Sequence, residues 1–304
     1  YPESVSPLYK PYMQWRALQY LFGGAMSVFT TRSLLLSLGV SKAGAAPTAA
    51  AVNWVLRDGA GRLGKMLFAR HGRKFDSDLK QMRFGADILM ELGAGVELAT
   101  AMAPQHFLPL ACLANLAKNV AAMTATSTRS PTYKSFAKTE NIGDITAKGE
   151  CVANSADIAG TALGIMVSRI RNLHIPTTFA ILSTGYIVSS YYEVKAVHSD
   201  SFNKARFGLT VNRFFKTGIV LDPWEANNKE PVLPLPWAPK ITLGSRATEA
   251  YDSASDFTKS TLRFRDLPYM LNYNKKEGRM HVVLKEEAEG EDVMKGLFHA
   301  HMVS

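Results

Sequence analysis

The stretch RDGAGRLGKMLF, at positions 57–68, decides between a nucleotide-binding α/β fold and a helical one. Gly59, Gly61 and Gly64 match the dinucleotide pattern G-x-G-x-x-G. Gly59, Gly64 and Lys65 also match most of a phosphate-binding P-loop, but the residue after the lysine is methionine, where magnesium binding requires a hydroxyl. A dinucleotide site requires a βαβ unit and an acidic residue about 20 positions on, whereas the following segment is basic. The stretch therefore indicates a helix whose glycines serve packing.

A second segment, SADIAGTALGIM at positions 155–166, resembles the first. Both contain D-x-A-G followed by L-G and methionine, about a hundred residues apart, which indicates an internal duplication. Glycine inside a helix costs about 1 kcal/mol relative to alanine, so glycines in apolar helices require a packing reason. Small residues on one helix stripe let two backbones approach closely, most usefully in lipid. We therefore predict that Gly61, Gly64, Gly160 and Gly164 pack helices together.

The chain has 304 residues and a net charge of +9, unevenly spread. Positions 1–218 hold 24 Lys and Arg against 13 Asp and Glu, and positions 219–304 hold 11 against 13. This contrast predicts a basic helical domain over 1–218 and a separate domain over 219–304, which contains a proline-rich linker, PVLPLPWAP. In the second domain, YMLNY and RMHVVLK flank NKKEG and predict a hairpin, and GEDVMKGLFHAHM predicts a closing helix.

The fold class is therefore mainly α: a Gly/Ala-rich helical bundle followed by a small α+β unit. Two apolar stretches, Leu98–Ala117 and Asn172–Tyr192, approach the roughly 20 residues that cross a bilayer as a helix. Both contain proline, which soluble helices tolerate poorly. A large soluble core and a membrane-embedded bundle both stay open. A long helix is predicted over Ser77–Met102, with Asp76 or Ser77 as its N-cap and an Arg83–Asp87 pair on its polar face.

Charged residues near the glycine segments are the candidate site. Asp58 and Asp157 hold matching places in the two segments, and Arg62, Lys65 and Lys148 are cations available to them. A buried aspartate must be paired or protonated. The five residues are therefore predicted either to form structural ion pairs or to contact a solute, because acids inside a membrane tend to be functional.

Four longer blocks resemble the root UVB sensitive family, and the similarity spans essentially the whole chain. They are YPESVSPLYKPYMQWRALQ, WVLRDGAGRLGKMLFA, FDSDLKQMRFGADILMELGAGVELATA and STRSPTYKSFAKTENIGDITAKGECVANSADIAGTALG. The resemblance, to a plant member, implies a role in the response to UV-B, early seedling and root development, auxin transport and homeostasis of pyridoxal-type vitamins. It further implies a membrane segment, a plastid location and another family member as protein partner. It implies no catalytic residues and no cofactor.

Two functional hypotheses follow. The first is a non-enzymatic, membrane-associated protein of an organelle, most simply the plastid. The second is a carrier of a small anionic solute across an organellar membrane, because internal repeats with interrupted helices recur in transporters. An enzyme is disfavoured because the sequence offers no nucleophile–base pairing and no metal cluster. A thiolate zinc site is disfavoured because Cys112 and Cys151 have no C-x-x-C spacing. A histidine metal site is disfavoured because His299 and His301 would point to different sides of a helix. Nucleic-acid binding is disfavoured because the basic region lacks the aromatic residues of a nucleic-acid platform.

Overall fold

The structure is a computed structural model that describes residues 3–38, 47–68, 78–199, 201–233 and 240–303. Its contacts divide the chain into two units. The first unit comprises Tyr1–Lys204 with Glu230–Leu233, and the second comprises Ala205–Lys229 with Pro234–Ser304. Composition had placed the division after residue 218, whereas the contacts join the segment from residue 205 onward to the second unit.

The first unit is helical throughout its described core, and the mainly α prediction is confirmed. A 3₁₀ turn, Pro104–His106, precedes the fourth helix. The helices are α1 (Tyr9–Ser37), α2 (Pro47–Phe68), α3 (Leu79–Ala99), α4 (Phe107–Lys134), α5 (Ile142–Ser168) and α6 (Ile175–Lys195).

Helix α2 runs through the whole glycine stretch at positions 57–68 without a break. A P-loop and a dinucleotide loop both require a strand, a turn and then a helix start around these glycines. A continuous helix offers no such run of free backbone N–H groups, because they are bonded within the helix. Nucleotide binding by this stretch is therefore excluded by the local fold.

The apolar stretch Leu98–Ala117 is not a single helix, so its reading as one membrane-crossing candidate is wrong. Helix α3 ends at Ala99, and α4 begins only at Phe107. Pro104 opens the intervening turn, because proline has no N–H to donate and its fixed φ suits the first turn of a new helix. The helix predicted over 77–102 is found over 79–99, and its proposed N-caps lie outside the described residues.

The six helices form two sets of three, α1–α3 and α4–α6, with similar lengths in the same order. The first helix of each set packs against the second helix of the other, α1 against α5 and α4 against α2. The third helix of each set likewise packs against the first helix of the other, α3 against α4 and α6 against α1. This reciprocal exchange of partners is what an internal duplication produces, and it supports the repeat indicated by the glycine segments.

The second unit is a small α+β unit with a three-stranded sheet in the order β1 (Ile241–Leu243), β3 (Arg279–Leu284), β2 (Tyr269–Asn274). Strands β2 and β3 form the predicted antiparallel hairpin, in which Gly278 takes a positive φ of 61° in the turn. Val282 in the central strand is fully buried, and Gly296 brings the closing helix close to it. The elements are α7 (Lys204–Thr217), α8 (Pro223–Lys229), β1 (Ile241–Leu243), α9 (Ala247–Ala250), α10 (Ala254–Arg263), β2 (Tyr269–Asn274), β3 (Arg279–Leu284) and α11 (Gly290–Val303).

Candidate functional site

Charged side chains lie in the interior of the first unit beside apolar clusters, and several large apolar side chains lie on its surface. Arg16 is fully buried and Glu193 is 1% exposed, while Ile158 and Met166 are 70% and 68% exposed. Charged residues of water-soluble proteins are almost never buried unless they are paired, and large exposed apolar patches mark an interaction surface. The buried charges in the described part of this unit therefore require partners, and its exposed apolar side chains indicate an interaction surface.

Glu193 on α6 is the centre of one buried ion-pair network. Arg16 Nη1 lies 3.3 Å from Glu193 Oε1, and Arg83 Nη2 lies 3.5 Å from the same oxygen. Arg83 Nε also lies 3.4 Å from Asp87 Oδ2, which confirms the predicted pair but places it in the interior. Ser190 donates a 2.6 Å hydrogen bond to Asp87. These contacts fasten α1, α3 and α6 to one another.

Glu97 on α3 is the centre of a second network. Arg57 Nη2 donates to Glu97 Oε1 at 3.0 Å, and Lys118 Nζ donates to Glu97 Oε2 at 2.8 Å. The carboxylate thus joins α2, α3 and α4. Glu97 and Glu193 occupy the same position, the nineteenth, in their 21-residue helices. The two sets of helices are therefore fastened through equivalent glutamates.

A cavity of about 330 Å³ lies between α1, α3, α4, α5 and α6. Its volume is within the range of small-molecule sites. Tyr20, Met26, Met90 and Tyr186 supply apolar surface. Charged side chains of both signs also line it, namely Arg83, Lys118 and Arg129 with Asp87, Glu91 and Asp157.

Each cation of this cavity has an acidic partner outside or within the lining. Arg83 pairs with Asp87, and Lys118 pairs with Glu97. Arg129 Nη1 lies 3.1 Å from a carboxylate oxygen of Glu150 on α5. The positive charge of the lining is therefore largely neutralised by the protein itself.

Two of the sequence-predicted acids and bases form ion pairs away from the cavity lining. Asp58 lies 3.6 Å from Arg57, its neighbour on α2. Lys148 donates a 2.7 Å hydrogen bond to Asp144 one turn earlier on α5, and both side chains are half exposed. Neither belongs to the residues that line the cavity.

The other three predicted site residues lie in two different places. Arg62 and Lys65 lie on the exposed face of α2, outside the cavity lining. Asp157 does line the cavity, so it is the one member of the predicted set found there. Sequence reasoning missed Glu91 and Lys118. Arg83, Asp87 and Glu91 recur every four residues on α3, a signal that could have placed Glu91 beside the predicted Arg83–Asp87 pair.

The four predicted packing glycines all lie against another helix. A β-carbon on Gly61 or Gly64 would overlap side chains of α4. A β-carbon on Gly160 or Gly164 would overlap the backbone of α1. At Gly160 and Gly164 the overlap is with backbone, which no rotation relieves, so the geometry there requires the absence of a side chain. At Gly61 and Gly64 the overlapping atoms belong to side chains of α4. Among the described residues, no group of three or more His, Cys, Asp or Glu side chains could hold a metal ion.

Two family models match consecutive parts of the chain. Residues 1–218 match the model of the vitamin B6 photo-protection and homoeostasis domain, and residues 219–304 match that of the root UVB sensitive protein C-terminal region. No solved structure matches the chain at a significant level.

Three relatives show how far the similarity extends. Protein root UVB sensitive 6 of Arabidopsis thaliana is 52% identical over all of this chain, which spans 61% of that relative. Protein root UVB sensitive 2, chloroplastic, of the same plant is 34% identical over 97% of the chain and 69% of the relative. RUS family member 1 of Dictyostelium discoideum is 30% identical over 77% of the chain and 46% of the relative. The chain therefore belongs to the root UVB sensitive family.

Proposed function

We propose that this chain is a non-enzymatic, membrane-associated protein of the root UVB sensitive type. It acts in vitamin B6 homoeostasis and the UV-B response, and through them in early seedling and root development and auxin transport. The observation that carries the membrane assignment is the reversed polarity of the first unit. Buried charges and an apolar surface are stable when lipid rather than water surrounds the helices.

Helix α5 shows this reversed polarity most clearly. Its buried positions are mostly small and lie against other helices, so α5 is held by close backbone approach. Its exposed positions include Val152, Ile158, Leu163 and Met166, which no described residue covers. In water this face would cost free energy at about 25 cal/mol per Å² of apolar surface. In lipid the same face is matched to its surroundings, and small residues supply the helix contacts.

Helix length is compatible with this proposal. Within the described residues, Pro104–Lys134 and Ile142–Ser168 are long and apolar enough to cross a membrane. Length and composition alone are weak support, because a core helix of a soluble protein satisfies the same criterion. Only 17% of the apolar window in Ile142–Ser168 is buried, however, which is unlike a soluble core helix.

The proposal also covers where the protein is located and which partners it binds. We propose an organellar membrane, the plastid first, because the relative that is 34% identical is named chloroplastic. A second member of the family is the proposed protein partner, and nucleic acid is not proposed as one. The non-enzymatic assignment is supported by the cavity, since its cations are held in ion pairs and neither Cys112 nor Cys151 lines it.

Alkaline carbonate extraction tests the membrane assignment. The chain, expressed in plant cells, is extracted from purified organelles and followed by immunoblotting. We expect it in the membrane pellet. Ile158→Glu should move a large fraction to the supernatant or to aggregates, whereas Glu140→Gln, an exposed loop substitution, should not. Complete release of the unaltered protein into the supernatant would contradict membrane insertion.

A carrier of a small anionic solute is the second candidate. It is favoured by the two reciprocal sets of helices with a cavity between them, the arrangement in which transporters place substrate sites. Uptake of labelled pyridoxal phosphate into proteoliposomes tests it. Asp157→Asn, at an exposed position of the cavity lining, should lower the initial rate by about tenfold, equivalent to 1.4 kcal/mol, whereas Asp58→Asn should leave it unchanged. Equal uptake rates for the unaltered chain and both variants would show that the solute does not pass through the cavity.

A further inference from the structure

Glu91, near the middle of α3, is a buried carboxylate that the ion-pair networks leave out. Its side chain lines the cavity, and the residue is 6% exposed. The Ser183 hydroxyl approaches it, yet neither carboxylate oxygen has a hydrogen bond of good geometry within the described residues. Burying a carboxylate in this way is strongly unfavourable unless a proton or a cation neutralises it.

The other buried carboxylates of the described first unit all have cationic partners. Asp87 is paired with Arg83, Glu97 with two cations, Glu193 with two arginines and Glu230 with Lys80. Glu91 departs from this pattern although Lys118 lines the same cavity, because Lys118 Nζ lies 2.8 Å from Glu97 instead. When Glu91 is ionised, its negative charge is therefore the one in the cavity that no described side chain pairs with, and a bound cation would favour that ionised form.

The remaining lining suits an organic cation. Tyr186 presents an aromatic ring, and Met26 and Met90 present polarisable thioethers. The Tyr20 ring also lines the cavity, and the Arg16 guanidinium already lies 4.8 Å from its centroid. Aromatic faces attract ammonium and pyridinium groups, and methionine adapts to irregular ligand shapes. Asp157, an exposed residue of α5, adds a second carboxylate that has no ion pair among the described residues.

We propose that this cavity binds a small organic molecule that carries a protonated nitrogen, an amine or a pyridinium, with Glu91 as its counter-ion. The inference deepens the proposed function, and rests on it only for the choice of a vitamin B6 compound as probe. A purely anionic solute would leave Glu91 without a counter-ion. The protonated nitrogen is therefore the feature by which the cavity selects its ligand.

Equilibrium binding to the detergent-solubilised full chain at neutral pH tests this proposal. Pyridoxamine, which carries a protonated amine, is compared with 3-hydroxybenzoate, an aromatic anion that contains no nitrogen. We expect saturable binding of pyridoxamine and at least tenfold weaker binding of 3-hydroxybenzoate. Glu91→Gln keeps the shape of the side chain and removes its charge, so it should weaken pyridoxamine binding by at least tenfold. Glu140→Gln, at an exposed position, should bind like the unaltered chain.

Folding of the variant is measured separately by its thermal unfolding midpoint. Removing an unpartnered buried charge should leave the midpoint of ligand-free Glu91→Gln equal to or above that of the unaltered chain. A folded Glu91→Gln protein with unchanged pyridoxamine binding would overturn the proposal. Equal binding of the two probes by the unaltered chain would also overturn it. Failure of the unaltered chain to bind either probe would do the same. Carbonate extraction reports on membrane insertion independently, so the two proposals fail separately.

Discussion

Replacing Gly160 by alanine should destabilise the first unit, although alanine is the better helix former. Gly160 lies where α5 meets α1, and an ideal β-carbon there would be 2.8 Å from the Leu21 Cα and closer still to its carbonyl oxygen. Ordinary van der Waals contacts of a β-carbon begin at 3.4 Å. Because both atoms belong to the backbone, no side-chain rotation relieves the overlap. Helix α1 would have to move by more than half an ångström.

The magnitude follows from two opposing effects. Overpacking of a well-packed contact costs about 1–3 kcal/mol, and the upper end applies here because backbone must move. Alanine returns about 1 kcal/mol through helix propensity. The expected net loss is about 2 kcal/mol, or a fall of about 4–8 °C in the unfolding midpoint for a unit of this size. Gly59→Ala is the matched control, because a β-carbon there has nothing within 4 Å. It should gain up to about 1 kcal/mol.

Thermal unfolding of the detergent-solubilised chain, followed by circular dichroism, measures both variants under one condition. The midpoint should fall for Gly160→Ala and rise by a few degrees, roughly 2–4 °C per kcal/mol, for Gly59→Ala. If the two substitutions shift the midpoint in the same direction, close backbone packing is not why Gly160 is glycine. Loss of stability in Gly59→Ala would moreover mean that the first glycine of the quoted stretch has a role that the helix does not explain.

Two further predictions concern ionisable groups. Glu193→Gln should cost about 1.5–3 kcal/mol, because Arg16 and Arg83 lose their shared carboxylate while Arg16 keeps Glu150 and Arg83 keeps Asp87. Lys148→Gln, in an exposed pair, should change the unfolding free energy by less than about 1 kcal/mol. Denaturant titration of both variants checks this, and equal losses would contradict it. Burial lowers the pKa of His301 below its ordinary value, so its neutral form stabilises the second unit above about pH 6.5, and that contribution disappears as the pH falls through the lowered pKa. The unfolding midpoint of the second unit should therefore fall on acidification, and His301→Asn should reduce the slope; an unchanged slope would refute the assignment.

The second unit was largely predictable because its signals are local. The NKKEG turn between two β-branched and aromatic runs predicts the hairpin, and Gly278 supplies the positive φ that the turn needs. The short strand β1 was missed, since three residues, Ile241–Leu243, carry no periodicity of their own. Its place in the sheet comes from pairing with β3, a contact between distant residues that the local sequence does not encode.

The first unit shows what helical periodicity does not predict. Helical periodicity on α3 distinguishes a charged face from an apolar face, and both faces are present. Periodicity does not say which face is inside, and the predicted Arg83–Asp87 pair is found buried. Glu91 lies on the same charged face and was not predicted as a site residue. The packing glycines were more accessible to sequence reasoning, because glycine in an apolar helix is unfavourable in any solvent unless close contact requires it.

The duplication gives an independent reason to regard Glu91 as a ligand-binding residue. The two glutamates that each bind two cations, Glu97 and Glu193, recur at the nineteenth position of α3 and α6. Glu91 is the thirteenth residue of α3, and the thirteenth residue of α6 is Ile187. The fold therefore places an apolar side chain at the equivalent point of the second set. A carboxylate present in one set alone, buried in the shared cavity without a partner, is better explained by a ligand than by packing.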